Sequence, residues 1–257
     1  MRFLVEGMGA DHKVRDKEGN TPFFTSIEHG SLPLVEYFVG ELNCSARETK
    51  EGEISALHLA CNHGHLDIME FLIGRGADLE KVSVYGKPLN WAVGSSQQEA
   101  ARLLLERGAD PRGDTSGSNI APIIIAIDTA QQQLYQMLLD KGVDINTRDP
   151  NGYSLLHLAA EKGNLPLVQQ LVEKGADLRY EAEGKSPLYL AFEHSQWQVV
   201  SFLKDHEPEH EKVEQRWKEE AERIAREKVE PNKERAEEIK NIGNKFYAGK
   251  QYEEALA

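Results

Sequence analysis

One short phrase recurs along most of the chain, and its spacing restricts the fold more than any other feature. The copies read Thr21-Pro22-Phe23-Phe24, Ser55-Ala56-Leu57-His58, Lys87-Pro88-Leu89-Asn90, Ala121-Pro122-Ile123-Ile124, Ser154-Leu155-Leu156-His157 and Ser186-Pro187-Leu188-Tyr189. Their first residues fall 34, 32, 34, 33 and 32 positions apart. A fixed period of about 33 residues means an array of small supersecondary units, none able to bury its own apolar face.

The rest of each unit keeps the same order. A Gly-containing turn follows the phrase, as in Asn62-His63-Gly64-His65 and Glu161-Lys162-Gly163-Asn164. A second apolar-periodic run comes next, for example Ile68, Phe71 and Leu72, or Leu167, Val168, Leu171 and Val172. This is the spacing of one helical face. The runs end in Gly76-Ala77-Asp78, Gly108-Ala109-Asp110, Gly142-Val143-Asp144 and Gly175-Ala176-Asp177. There the Gly suits the left-handed residue that closes a helix, and the Asp opens a reversal. Stacked neighbours must supply the cover that each unit lacks.

Phrase and period together resemble the ankyrin repeat over residues 1–206. The resemblance implies an all-α solenoid of helix-turn-helix units with hairpin-like loops, comprising a leading half-repeat and about six units. The half-repeat is Phe3-Leu4-Val5-Glu6-Gly7 with Gly9-Ala10-Asp11. Either it caps the stack or the sequence begins inside a longer protein; the second is expected, because terminal repeats normally turn a polar face outward. Two copies depart from the pattern. Around Tyr85-Gly86-Lys87-Pro88 the Gly sits one place late, and the Ile120 copy has no His. Their loops, 111–119 above all, are expected to deviate.

In this family partners lie along the face made by loop tips and first helices. The corresponding slots are Lys17, Glu18 and Asn20; Asn62 and His63; Tyr85, Asn90 and Trp91; Asp128; Asn151, Tyr153, Glu161 and Lys162; and Lys185, Glu193 and His194. Tyr85, Trp91 and Tyr153 are the expected anchors, since aromatic rings bury much area at small entropic cost. Trp91 stands where the family usually has Leu, so inter-repeat packing is an equal alternative. His58 and His157 are expected to tie their turn to the adjacent repeat. Asn146, within Leu139-x4-Asp144-Ile145-Asn146, is similar to the loop-tip Asn that asparaginyl hydroxylases modify in ankyrin proteins.

Composition shifts after Asp205. Residues 207–233 are rich in Glu, Lys and Arg, with Glu219–Arg223 and Glu222–Arg226 at favourable helical spacing. A thin apolar line through Val213, Trp217, Ala221 and Ile224 predicts a linker helix ending at Pro231. Residues 234–257 resemble the first part of a tetratricopeptide repeat, with Ile239, Ile242 and Phe246 at helix-packing positions, Gly243 at the close approach, and Tyr252 and Ala255 opening a second helix. Such a piece cannot bury its own core, so the chain is read as cut at both ends. Lys240-x-x-Gly243-Asn244 is similar to the first helix of the carboxylate-clamp class, which binds the C-terminal Glu-Glu-Val-Asp of heat-shock chaperones. Lys240 and Asn244 would grip the terminal carboxylates, as an ammonium and an amide suit a fixed anion.

Charge and chemistry narrow the function. A net charge of −13 and a pI near 5.2 argue against a nucleic-acid backbone or an anionic membrane surface, and favour a basic or peptide-like protein partner. Two cysteines, Cys44 and Cys61, are too few for a disulfide framework and fit a reducing compartment, cytoplasm or nucleus. Neither a signal-peptide layout nor a spanning apolar run is present. Cys61, His63 and His65 invite a metal reading, yet they fill ordinary helix-end slots and lack a fourth ligand nearby. No phosphate loop, metal-protease helix or nucleophile elbow occurs, so neither enzyme activity nor a cofactor is expected. The expected function is an adaptor: the ankyrin stack holds a client while the completed tetratricopeptide region docks a chaperone tail. The alternative is a regulatory arm for a catalytic domain elsewhere in a longer chain.

Overall fold

The computed structural model describes residues 11–17, 19–113 and 120–206. The leading half-repeat up to residue 10, Glu18, most of the 111–119 loop, the 207–233 linker and the 234–257 segment with Lys240 and Asn244 lie outside the described residues. The chain divides into two compact units, with the boundary between Asp144 and Ile145.

The first unit contains four helix pairs: α1 (Pro22–Glu28) with α2 (Leu32–Gly40), α3 (Ala56–His63) with α4 (Leu66–Gly74), α5 (Pro88–Gly94) with α6 (Gln98–Glu106), and α7 (Pro122–Asp128) with α8 (Gln132–Asp140). The second contains α9 (Leu155–Glu161) with α10 (Leu165–Glu173), and α11 (Pro187–Glu193) with α12 (Trp197–His206). First helices pack on first helices and second on second, α1 on α3 on α5 on α7 in one unit and α9 on α11 in the other. The phrase marks the start of every first helix. Pro occupies the first turn of α1, α5, α7 and α11, where its missing N–H costs nothing.

The core of each unit lies between pairs, as the missing-cover argument requires. In the first pair Phe23, Phe24, Ile27 and Phe38 are completely enclosed, with ring centroids of Phe23 and Phe38 6.1 Å apart. Burying each such side chain contributes about 1.5–3 kcal/mol. No single helix here could form alone at such lengths, so packing rather than propensity holds it.

One of the hairpin-like loops expected between units forms a regular pair of short strands. Thr49–Lys50 (β1) and Ile54–Ser55 (β2) pair antiparallel, Thr49 opposite Ser55 and Lys50 opposite Ile54. A short 3₁₀ turn, Glu51–Glu53, joins them, with Gly52 and Glu53 at φ of 75° and 59°. Two consecutive left-handed residues reverse the chain tightly enough to close a hairpin. The late Gly also has a physical reason. In the loops at Asp16 and Asp149 the turn amide donates to the carbonyl four residues on, whereas Ser83 N–H donates to Gly86 three residues on. The 182–185 loop is equally short, with Gly184 in its usual place; in the Ser83 loop the left-handed residue is Gly86 itself, at φ 92°, directly before the cap.

Candidate functional site

Between neighbouring pairs runs a set of side-chain ties to backbone carbonyls. The amide of Ser55 donates to His58 Nδ1 at 3.0 Å, which leaves Nε2 protonated to donate to Gly86 O at 3.1 Å. His157 repeats this, with Ser154 N–H at 3.3 Å and Lys185 O at 3.0 Å. Burial lowers the His58 pKa to about 4 and depresses that of His157, so both imidazoles stay neutral donors. The expected tie to the adjacent repeat is present at both.

Asn90, expected on the partner face, is instead 4% exposed and takes the histidine's place. Its Oδ1 accepts from Lys87 N–H at 3.3 Å and its Nδ2 donates to Ile120 O at 2.9 Å. A carboxamide has one acceptor and one donor in the same fork as a neutral imidazole, so it serves the same tie. Asn20 is likewise buried, accepting from Lys50 Nζ at 2.6 Å while donating to Glu28 at 3.3 Å.

A second row of ties had no signal in the repeat phrase. The residues before α4, α6, α8 and α12 reach back to the end of the first helix of the preceding pair. His65 Nε2 lies 3.3 Å from Glu28 O, Gln131 donates to Val93 O at 3.1 Å, and Gln196 donates to Glu161 O at 3.2 Å. Its only trace in the sequence is the polar residue just after each inter-helix turn.

The ties leave the loop tips free to carry other side chains. In the first unit Tyr85 is 68% exposed, beside Val82 and Val84 at 43% and 58%. Its ring meets Trp91 edge-on at 5.6 Å, and Trp91 meets His58 edge-on at 5.6 Å. Trp91 Nε1 donates to Ser83 Oγ at 3.0 Å. Trp91 is therefore half-buried and braces the loop, with Tyr85 projecting beyond it. The Asn62 side chain accepts from Ser95 Oγ, and exposed His63 stacks on His65 with centroids 5.7 Å apart. Cys61 beneath them is fully buried, and burial pushes its thiol pKa up, opposite to what a metal-binding thiolate needs. Among the described residues no three His, Cys, Asp or Glu side chains converge to hold a metal ion.

In the second unit Tyr153 donates its hydroxyl to Glu183 at 3.1 Å and lies edge-on to His157 at 5.6 Å. Burial, with Glu183 as acceptor, raises the Tyr153 pKa. Lys185 and Glu193 pair at 2.9 Å. Burial works against the charge on Lys185, but the Glu193 carboxylate holds its pKa above the ordinary value. Glu161 faces His194 at 3.8 Å, and Lys162 lies exposed at the end of α9. Asn146 is exposed on the loop before α9 and lines a cleft of about 300 Å³ with Arg148, Asp177 and Tyr180. Each unit thus gathers its own named residues, the Tyr85–Trp91 pair in one and the Tyr153, Lys185, Glu193 group in the other.

Helix pairs at this period, tied through the residue before the cap, define a class of stacked helical repeat. The family described as ankyrin repeats (3 copies) matches residues 1–83, 42–115 and 123–214, and the chain belongs to it. It is similar to the B-cell lymphoma 3 protein homolog of Mus musculus, 38% identical over 48% of this chain and 29% of that one. It is also similar to the B-cell lymphoma 3 protein of Homo sapiens, 30% identical over 63% of this chain and 45% of the other. The chain therefore spans less than half the length of these relatives.

Among solved structures, the ankyrin repeat domain of Bcl-3, described as a unique member of the IkappaB protein family, superposes with a TM-score of 0.65. It is 30% identical, covering 78% of this chain and 89% of that one. The human ASB11 ankyrin repeat domain gives 0.63 at 25% identity, covering 72% and 83%. No helix among the described residues is long and apolar enough to cross a membrane.

Proposed function

We propose that this chain is a non-enzymatic protein-interaction scaffold whose ankyrin loop tips and first helices hold a client protein. One observation carries the reading: the Val82–Tyr85 tip exposes three apolar side chains side by side, on a loop braced by Trp91 and His58. A solvated loop has no need of such a tip, and a rigid aromatic is the usual centre of a protein contact. Tyr153, Glu161, Lys162, Lys185, Glu193 and His194 are assigned as the contact residues of the second unit, and Asn62, His63 and Trp91 as further contact residues of the first. The similarity to the Bcl-3 ankyrin domain supports this assignment.

The finer reading concerns the carboxyl-terminal segment. Completed by its following helices, it docks the Glu-Glu-Val-Asp tail of a cytosolic chaperone through Lys240 and Asn244, which makes the protein a co-chaperone adaptor. Equal affinity of that peptide for wild-type full-length protein and Lys240→Ala would remove this part. For the ankyrin face, a photo-crosslinking amino acid is placed at position 85 and, as control, at position 102 on the exposed surface of α6. The expected result is one partner captured at 85 alone, with Tyr85→Ala weakening its binding by about tenfold or more. Equal capture at both positions, or unchanged affinity, refutes the assignment.

A further inference from the structure

In the second unit one guanidinium lies close over an aromatic ring, with no carboxylate paired to it among the described residues. The Arg148 guanidinium carbon sits 3.8 Å from the centroid of the Tyr180 ring. Tyr180 is in turn braced edge-on, at 5.7 Å and 86°, against His157. His157 is itself fixed at both nitrogens by Ser154 and the Lys185 carbonyl. The cation therefore rests on a platform that cannot turn away.

We propose that this cleft is a carboxylate-recognition site, in which Arg148 takes an Asp or Glu side chain from an extended segment of the partner. A guanidinium stacked on a ring loses solvent on its face but keeps its in-plane N–H fork, which matches the two oxygens of a carboxylate. Among the described residues no carboxylate forms an ion pair with Arg148, although the chain carries a net charge of −13. Asp149, next in sequence, and Asp177, in the cleft wall, each accept from amides of their own loops. Asp149 Oδ1 accepts from the amides of Asn151 and Tyr153 at 2.9 and 2.7 Å, and Asp177 Oδ1 accepts from Arg179 N–H at 2.9 Å.

The cleft, about 300 Å³ and lined also by Asn146 and Ser154, has room for a carboxylate side chain. Asp177 in its wall repels a phosphate dianion more strongly than a single carboxylate, which favours the latter. The inference rests on the chain being a protein-binding scaffold but uses a different surface from Tyr85. A small probe tests it without the partner, so its failure leaves the Tyr85 result standing.

The test is an NMR titration of the Arg148 side-chain Nε–H and the Tyr180 ring signals. The probes are N-acetyl-glutamate N-methylamide, its neutral glutamine analogue and inorganic phosphate. Saturable shifts are expected with the glutamate probe alone. They should vanish in Arg148→Gln and weaken about tenfold in Arg148→Lys, which lacks the planar fork. Tyr180→Leu should weaken them too, with the helical circular dichroism unchanged. Equal shifts from the glutamine analogue, or binding that survives Arg148→Gln, overturns the proposal. Tighter binding of phosphate than of the glutamate probe overturns the choice of carboxylate.

Discussion

His58 ties its own helix start to the next one only while neutral, so acid should loosen the first unit in a calculable way. Its pKa falls from the usual 6.5 to about 4 in the folded protein, chiefly because burial disfavours the charged ring. Above pH 6.5 neither state holds the proton and the stabilising contribution is complete. As the pH falls below 6.5 the unfolded chain takes up a proton that the folded one refuses, and stability drops by about 1.4 kcal/mol per pH unit. The loss ends near pH 4, where the folded ring also protonates, and amounts to about 3 kcal/mol in total. The depressed His157 pKa adds a loss of the same sign in the second unit.

The control is written in the protein itself, since Asn90 makes the same two bonds without titrating. Urea unfolding followed by circular dichroism would be compared at pH 7 and pH 4.5 for wild type and His58→Asn. The drop between the two pH values should be smaller in the variant by about 2.5 kcal/mol. A variant that loses as much stability as wild type would show that His58 does not carry the acid sensitivity, and the tautomer argument would fail with it.

Three further outcomes follow from individual positions. Ala130 sits at φ 57°, in the turn place that Gly64 and Gly163 fill at 70°. Ala130→Gly should therefore stabilise by about 0.5–1 kcal/mol in thermal or urea unfolding, while Gly163→Ala should destabilise, since a Cβ there would collide with Gln196. Thr21 caps α1 without a side-chain hydrogen bond, and its buried hydroxyl has no partner among the described residues. Thr21→Val should leave stability unchanged or raise it, whereas Ser154→Ala, which strips His157 of its 2.7 Å partner, should cost about 1 kcal/mol. Cys61 is fully buried and Cys44 half-buried, so iodoacetamide should label Cys44 in the folded protein and reach Cys61 only at the rate of unfolding. Mass-resolved labelling would show both.

Much of this architecture was legible before any coordinate. The period located every helix pair, because apolar faces that need a neighbour must recur at the neighbour's spacing. His58 and His157 were legible for the same reason, as both stand at a fixed place in the phrase. Asn90 was not. Read as a polar residue in a variable slot it belongs on the surface, and only the position of the Ile120 carbonyl shows it replacing an imidazole. Asn20 went inward because Lys50 and Glu28 close over it, a contact set by the β1–β2 hairpin that the phrase does not encode. At Trp91 the packing alternative is the one the structure shows, with the ring against His58 of the preceding pair and the N–H bracing its own loop through Ser83. Arg148 had no signal at all, since its importance comes from a ring in the following loop.

The acceptors of the first row of ties are the carbonyls of Gly86, Ile120 and Lys185, three residues with nothing in common but position. A carbonyl is supplied by every amino acid, so the hydrogen bond itself makes no demand on the side chain, although the backbone at Gly86, with φ 92°, holds that one position to glycine. At Ile120 and Lys185, where the side chain is a branched alkyl group in one repeat and an ammonium in another, mutation can change it and leave the joint between neighbours intact. Those positions fasten the repeats together and are still open to drift toward new specificities, and heritable variation in what is bound need not be filtered through loss of the fold.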